Sequence, residues 1–240
     1  MPAVPAGPTI RIAADGGLDL AVALGEEVDL IVGDLDSVDG DLLADARRRG
    51  VEVRAQPVDK DLTDLELAIE AALTPAGPDR TNGASVPSAS TELLVVGGGG
   101  GRLDHLLGVL AALASAARRG ARVTAHLGDD VMWLVGPGER LELATRPGTT
   151  ISLLAVGAPA VVRRAAGLRW PLDAATLSPD SALGLSNRAV APAVTVEVLD
   201  GVVAVIAPEA PTDPEGSTPA AAGRFRRVAP DRHPQPGATA

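Results

Sequence analysis

The chain has 240 residues, of which 46% are hydrophobic, and carries a formal net charge of −10. Cysteine is absent and the three histidines are scattered, which excludes disulfides, thiolate metal sites and a histidine zinc site. The acidic balance argues against a nucleic-acid surface, and no apolar run reaches the ~18 residues of a membrane span. We therefore expect a soluble, cytoplasmic protein with no membrane or nucleic-acid partner, in which any metal has oxygen ligands.

The first part of the chain alternates β-branched runs with helical patterns. Strands are predicted in TIRIA, VDLIV, VEVRA and ELLVV, and helices over residues 18–24, 39–49, 63–73 and 104–119. This alternation is typical of βαβ units around a mostly parallel sheet, so we predict an α/β domain over residues 1–136. Residues 74–91 are rich in Pro, Gly and Ser and are predicted to form a surface insertion.

The sequence changes character after Gly136, where short alternating strands replace the helical period. Asp200-Gly201 stands between two such runs and predicts a hairpin. We therefore predict an all-β domain over residues 137–207. The tail, residues 208–240, is rich in Pro, Ala and Gly and is predicted to be disordered because it cannot bury enough apolar area.

Four motifs place acidic residues beside glycines or at helix starts. They are ADGG (14–17), GDLDS (33–37), DKDLTDLE (59–66) and GGGGGRLDH (97–105). Asp34 and Asp36 follow a predicted strand, and alternate residues of an extended segment point to the same side. Two carboxylates so placed suit a Mg²⁺ ion shared with substrate phosphates, and the alternative is a solvated acidic turn.

The third motif opens a predicted helix. Thr63 and Glu66 match a capping box, which is the structural alternative to a ligand contact for Thr63. Asp61 and Asp64 surround the same helix start, where carboxylates also favour the helix dipole. Lys60 suits this position only if an anion lies close.

The fourth motif follows the strand ELLVV and opens a helix. Its backbone amides and the helix N-terminus can therefore face an anion that Arg102 binds bidentately. Asp104 is a candidate N-cap. A flexible glycine loop is the alternative, and the P-loop signature GxxxxGK[ST] is absent.

Taken in order with GLRWPL (167–172) and GLSN (184–187), these motifs resemble the thiamine pyrophosphokinase family over roughly residues 12–206. The resemblance implies an α/β catalytic domain followed by a β-sandwich, working as a homodimer with thiamine bound in clefts that the two subunits share. It implies transfer of a pyrophosphoryl group from ATP to the hydroxyl of thiamine, giving thiamine diphosphate and AMP. In the family another strand and a Gly-rich turn precede the ADGG strand. Here only MPAVPAGPTIR does. Either the start is assigned too far downstream, which we expect, or this chain lacks a strand that helps to cover the phosphates.

The resemblance also assigns residues. It implies that Asp34, Asp36 and Asp64 coordinate or surround Mg²⁺. Arg102 and Asp104 would lie beside the transferring group and complete the catalytic set. The residues implied to line the nucleotide are Asp15, Lys60, Asp61, Thr63, Gly98 and Gly101.

For thiamine, the resemblance implies that Trp170 stacks on the ligand and that Ser186 and Asn187 meet its aminopyrimidine. The alternative for Trp170 is a core aromatic. Two rival functions stay open. A diphosphokinase acting on a hydroxymethylpterin needs the acidic motifs but neither GLRWPL nor GLSN. A non-catalytic thiamine or nucleotide sensor keeps Trp170 and Ser186 but does not need the metal carboxylates.

Overall fold

The computed structural model describes residues 9–57, 59, 61–74, 91–208 and 221–227. Contacts divide the chain into two compact units, residues 1–134 and 135–240. Lys60 and nearly all of the predicted insertion, residues 75–90, lie outside the described part of the chain. Among the described helices, none is long and apolar enough to cross a membrane.

The first unit begins with a parallel three-stranded sheet of order β1-β2-β3 and its helices. The elements are β1 (Ile12–Ala14), α1 (Gly17–Ala23), β2 (Leu30–Gly33), α2 (Gly40–Arg48), β3 (Glu52–Ala55) and α3 (Asp64–Leu73). All four residues of the central strand β2 are buried. Ala13, Leu18, Ile31 and Ala46 form a core between this sheet and α1 and α2.

The rest of the first unit is built on a second set of strands. Its elements are β4 (Glu92–Val96), α4 (Leu103–Arg118), β5 (Arg122–Leu127) and β6 (Asp130–Val135). β4 pairs with β5 in parallel and β5 with β6 antiparallel. The predicted N-cap of α4 is wrong, because Arg102 occupies the cap position and Asp104 lies in the first turn.

The regular elements described in the second unit are all strands. They are β7 (Glu139–Thr145), β8 (Thr150–Ala155), β9 (Ala160–Ala166), β10 (Leu172–Leu177), β11 (Asn187–Arg188), β12 (Ala193–Asp200), β13 (Val203–Pro208) and β14 (Ala221–Arg227). One antiparallel sheet has the order β10-β9-β12-β7-β14, and β11, β8 and β13 pair antiparallel in another. Alternate apolar residues of β7, β8 and β12 are buried, as in a β-sandwich. The predicted fold class, α/β followed by an all-β sandwich, is confirmed.

The hairpin predicted at Asp200-Gly201 is wrong. β12 pairs with β7 and β9, whereas β13 pairs with β8, so the turn joins strands of different sheets. Alternating apolar residues are found both in the two strands of a hairpin and in consecutive strands that lie in the two facing sheets of a sandwich. In either case every second side chain points into the core.

A second correction concerns the predicted disordered tail, part of which is the strand β14. It pairs antiparallel with β7, with Phe225 opposite Leu141. Arg226 also donates to Glu142 at 3.0 Å. Main-chain pairing with β7 and this ion pair stabilise β14 as a strand, although the average composition of the tail predicts disorder. The other tail residues beyond Pro208 lie outside the described part of the chain.

Candidate active site

Three carboxylates converge at one edge of the first sheet. Asp15 follows β1, and Asp34 and Asp36 follow β2. The carboxyl ends of neighbouring parallel strands meet at the same edge, which is where open α/β sheets bind ligands. One oxygen from each carboxylate lies within 4.8 Å of the others, and we call these residues the acidic cluster. Mg²⁺ binds oxygens at about 2.1 Å, so opposite ligands are separated by about 4 Å, close to this span.

Asp15 is the most informative member of the acidic cluster. Its backbone has φ 45°, and its N–H donates to the Val32 carbonyl at 2.9 Å, which holds the residue beside β2. Its Oδ1 atom is buried and has no hydrogen-bond partner among the described residues. A buried carboxylate oxygen normally has a partner, and a bound cation would supply one. The residues present therefore fit a hard divalent cation such as Mg²⁺.

Asp34 and Asp36 come together through a turn rather than through an extended strand. β2 ends at Gly33, and Leu35 adopts the left-handed conformation with φ 66°. Asp34 Oδ1 accepts from the Asp36 N–H at 3.3 Å, and Asp36 Oδ1 accepts from the Ser37 hydroxyl at 2.9 Å. Asp34 and Asp36 are therefore close together, as predicted. A turn brings them together, and not the alternation of side chains along an extended strand.

Asp64, the third predicted metal ligand, borders the acidic cluster without being one of its three members. It is the first residue of α3. A Cβ atom at Gly33 would lie 3.1 Å from Asp64 Oδ1 and 3.1 Å from the Asp15 Cβ. A side chain at position 33 would therefore crowd both Asp64 and Asp15, and glycine avoids this.

Thr63 forms the predicted capping box at the start of α3. Its hydroxyl accepts from the Glu66 N–H at 3.3 Å, and Glu66 Oε2 accepts from the Thr63 N–H and hydroxyl, each at 2.8 Å. The structural prediction for Thr63 is therefore confirmed. Asp61 is exposed just before this cap.

The glycine loop between β4 and α4 follows a defined path. Gly97, Gly98 and Gly101 have positive φ angles of 98°, 78° and 85°. Gly99 packs directly on the β5–β6 turn, where an added Cβ would lie 2.2 Å from the Leu127 carbonyl carbon. At Gly100 and Gly101, by contrast, no described residue other than the chain neighbours has an atom within 4 Å of an added Cβ. One side of the loop is thus fixed against protein and the other is open at the N-terminus of α4.

Arg102 and Asp104 form a bidentate ion pair at the open side of this loop. Arg102 Nη2 and Nε donate to the two carboxylate oxygens of Asp104 at 2.6 and 3.1 Å, and both side chains are exposed. The hydrogen bond from Arg102 lowers the pKa of Asp104. A carboxylate with a lowered pKa is a weaker proton acceptor, so the pairing reduces the basicity of Asp104.

The two tryptophans have opposite environments. Trp133 lies in β6 and is 2% exposed, whereas Trp170, between β9 and β10, is 56% exposed. The core-aromatic alternative therefore describes Trp133 and not Trp170. The guanidinium of Arg169, a residue that the sequence interpretation did not single out, lies 5.1 Å from the centroid of the Trp170 ring. This contact shows that the indole face can take a cation.

Ser186 and Asn187, adjacent in sequence, also have different environments. Ser186 is exposed, with φ 53° and its N–H bonded to the Ser152 hydroxyl at 3.0 Å. Asn187 is 2% exposed, and its amide bonds the main chain of Trp170. Of these two predicted thiamine contacts, Ser186 is the one with an exposed side chain.

Comparison with known proteins matches both units to one family. Residues 6–125 match the family model described as thiamin pyrophosphokinase, catalytic domain, and residues 140–203 match that of the thiamin pyrophosphokinase vitamin B1 binding domain. Thiamine pyrophosphokinase 1 of Oryza sativa subsp. japonica is 25% identical over 197 residues, covering 74% of this chain and 71% of the relative. The protein of the same name from Arabidopsis thaliana is 26% identical over 206 residues, covering 78% and 74%.

Solved structures agree on the fold. Thiamine pyrophosphokinase from Bacillus subtilis superimposes with a TM-score of 0.66 at 21% identity, covering 83% of this chain and 87% of that one. The enzyme from Candida albicans gives 0.65 at 17% identity, covering 83% and 82%. The matches to both domain models, in family order, show that this chain belongs to the thiamin pyrophosphokinase family.

Proposed function

We propose that the chain is a Mg²⁺-dependent enzyme that transfers a pyrophosphoryl group from ATP to thiamine. Family membership indicates this thiamine pyrophosphokinase activity. The main structural support for a Mg²⁺-dependent enzyme is the acidic cluster. In it, Asp15 Oδ1 is buried and has no hydrogen-bond partner among the described residues. Neither rival function is favoured. A pterin diphosphokinase does not account for the match to a vitamin B1 binding domain, and a sensor does not account for the acidic cluster.

In the proposed site Asp34 and Asp36 hold the metal, with Asp15 and Asp64 beside them. When bound, Mg²⁺ would neutralise charge on the ATP phosphates and align them for transfer. The proximity of the three carboxylates supports this assignment. It also changes the role proposed for Asp15, which the sequence analysis placed among the nucleotide-lining residues and which we now propose lies next to the metal.

The nucleotide phosphates are proposed to bind at the open side of the glycine loop, around Gly98 and Gly101, and at the N-terminus of α4. Arg102 would exchange the Asp104 carboxylate for a phosphate, because both anions accept two parallel bonds from a guanidinium. That exchange would also remove the hydrogen bond that lowers the pKa of Asp104. Asp61 and Lys60, of which Lys60 lies outside the described residues, are proposed to line the phosphates as well.

The chemical step is an in-line displacement at the β-phosphorus of ATP. The primary hydroxyl oxygen of thiamine forms a bond to that phosphorus, and the bond from it to the oxygen of the α-phosphate breaks. The electron pair of the broken bond leaves with AMP. The hydroxyl proton passes to a carboxylate, for which Asp64 and Asp104 are the candidates. Arg102 and the loop amides stabilise the charge on the transferring group.

Thiamine is proposed to stack on Trp170 with Ser186 near its aminopyrimidine. A cationic thiazolium over an indole face gains about 0.5 to 2 kcal/mol. The exposure of Trp170 and its contact with Arg169 support this role. We further propose a homodimer in which each thiamine cleft is shared by two subunits, and a cytoplasmic location, where ATP is available.

A coupled assay for AMP release tests the proposed function. ATP is offered with thiamine, thiamine monophosphate or a hydroxymethylpterin in separate reactions, with and without Mg²⁺. Of the three acceptors offered with ATP, we expect only thiamine to give AMP, and only when Mg²⁺ is present. AMP formation with the pterin in place of thiamine, or thiamine binding without any turnover, would refute the proposal in favour of one of its rivals.

A further inference from the structure

Asn187 differs from the two residues with which it shares the predicted thiamine site. Trp170 and Ser186 are exposed, whereas Asn187 is 2% exposed. A buried amide needs partners for its oxygen and its nitrogen, because an unpaired polar atom loses its water without compensation. The partners of Asn187 therefore indicate its role.

Both ends of the Asn187 amide bond the main chain of Trp170. The Trp170 N–H donates to Asn187 Oδ1 at 3.2 Å, and Asn187 Nδ2 donates to the Trp170 carbonyl oxygen at 2.7 Å. The Arg188 N–H donates to the same Oδ1 at 2.8 Å. These contacts also fix the orientation of the amide, since a flip would place its NH₂ group against two N–H donors. Both lone pairs of Asn187 Oδ1 therefore accept hydrogen bonds from backbone N–H groups of the protein.

Trp170 depends on this support because it lies at the end of a short main-chain pairing. The preceding residue, Arg169, still donates its N–H to the Arg188 carbonyl at 2.8 Å. At Trp170 the partner is instead the side chain of Asn187, and Pro171, which follows, has no N–H to donate. The backbone of Trp170 fixes the direction of its Cα–Cβ bond and thereby restricts the rotamers that the exposed indole can adopt.

We propose that Asn187 is a positioning residue that holds the Trp170 backbone so that the indole is preorganised for stacking. This inference rests on the proposed function and changes one assignment within it. Asn187 acts through Trp170, and its amide does not contact thiamine. A ring fixed before binding loses less conformational entropy when the ligand stacks on it.

A double-mutant cycle of Asn187→Ala and Trp170→Ala tests this role through kcat/KM for thiamine and KM for ATP. Asn187→Ala alone should lower kcat/KM for thiamine about tenfold, the scale of one or two hydrogen bonds. KM for ATP should stay within about twofold. In the Trp170→Ala background the second substitution should have no further effect on thiamine, because the residue through which it acts is gone. Independent losses that multiply would place the amide on thiamine itself and overturn the proposal.

A measurement without thiamine separates this inference from the proposed function. In a Trp133→Phe background the fluorescence anisotropy of the protein reports Trp170 alone. Asn187→Ala should lower that anisotropy, because the ring is no longer held. If the parent protein releases no AMP with thiamine, the proposed function fails, and a lowered anisotropy still supports the hold on Trp170. An unchanged anisotropy overturns it.

A matched control removes a comparable hydrogen bond elsewhere in the second unit. Buried Thr145 donates its hydroxyl to the Ala191 carbonyl at 2.9 Å, and Thr145→Val removes that bond at nearly constant volume. It should lower Tm without changing Trp170 anisotropy or the thiamine kinetics. An equal loss of thiamine kcat/KM in Thr145→Val would show a general effect of stability and overturn the positioning role.

If Asn187→Ala does not fold, Asn187→Asp replaces it in both measurements. At a pH where it is ionised, aspartate keeps an acceptor for the Trp170 and Arg188 N–H groups but places a charged oxygen against the Trp170 carbonyl in place of the donor. Lower anisotropy and a selective loss for thiamine support the proposal. Parent values for both quantities overturn it.

Discussion

The acidic cluster and the Trp170 region differ in where their polar atoms find partners. In the acidic cluster, Asp15 Oδ1 is buried with no hydrogen-bond partner among the described residues, and carboxylates converge although they repel one another. At Trp170 the buried Asn187 amide is bonded within the protein, and the exposed group is an apolar ring. The first region thus has polar atoms left for a ligand, whereas the second uses polar atoms to support an apolar surface. We expect substitutions in the first to affect chemistry and those in the second to affect binding.

The largest expected effect tests the first half of this comparison. Asp36→Asn keeps the volume of the side chain but removes its charge, so turnover should fall by about 10²-fold or more while the protein stays folded. Steady-state AMP release over a Mg²⁺ titration measures the loss, and circular dichroism checks the fold.

Asp41→Asn is the matched control, because Asp41 is exposed in the same unit and lies outside the acidic cluster. It should retain parent activity. A loss of only a few-fold in Asp36→Asn, with unchanged Mg²⁺ dependence, would remove Asp36 from the metal site.

The second prediction asks whether the two regions serve one cleft in different subunits. At a thiamine concentration well below the KM of Trp170→Ala, Arg102→Ala should have little activity because transfer is slowed and Trp170→Ala because little thiamine is bound, and mixing them should restore activity. Random exchange makes about half the dimers mixed, each with one doubly altered and one intact site, giving roughly a quarter of parent activity.

The mixing experiment requires that both variants are folded and dimeric and that subunit exchange is demonstrated, for example with two affinity tags. Each variant incubated alone serves as the control. Absence of recovery after proven exchange would place both residues in one subunit and contradict the shared cleft.

The third prediction compares neighbouring positions of the glycine loop. Gly99→Ala should lower the free energy of unfolding by about 1 to 3 kcal/mol and raise KM for ATP, because the added Cβ meets the Leu127 backbone. Gly100→Ala adds the same atom where no described residue beyond the chain neighbours lies within 4 Å. It should leave stability and KM near parent values. Thermal unfolding and ATP kinetics of the two variants measure the difference, and equal effects would contradict the close contact between the loop and the β5–β6 turn.

The smallest expected effect concerns a satisfied polar group in the first unit. Thr63→Ala should lower the free energy of unfolding by about 1 kcal/mol through loss of the capping box, and Thr63→Ser should preserve it. Chemical denaturation measures both. A large rise in KM for ATP with unchanged stability would instead assign the Thr63 hydroxyl to the nucleotide.

Local sequence patterns determined most of the elements and the choice of motifs. The alternation of strands and helices in the first unit, the Thr63 capping box and the change to short strands after Gly136 all depend on neighbours within a few residues. Side-chain periodicity and capping are local properties, and the sequence displays them directly. The same holds for Asp34 and Asp36, which are close in sequence and stay close in the fold.

Only the tertiary structure decided which partners these local elements acquire. Asp15 lies beside Asp34 because β1 pairs with β2. β12 and β13 lie in different sheets, although local alternation predicted that they would pair as a hairpin. The tertiary structure also paired β14 with β7 and buried Asn187 beneath the Trp170 backbone. Pairing between distant strands depends on the free energy of burying whole surfaces together. No short window of sequence contains that information.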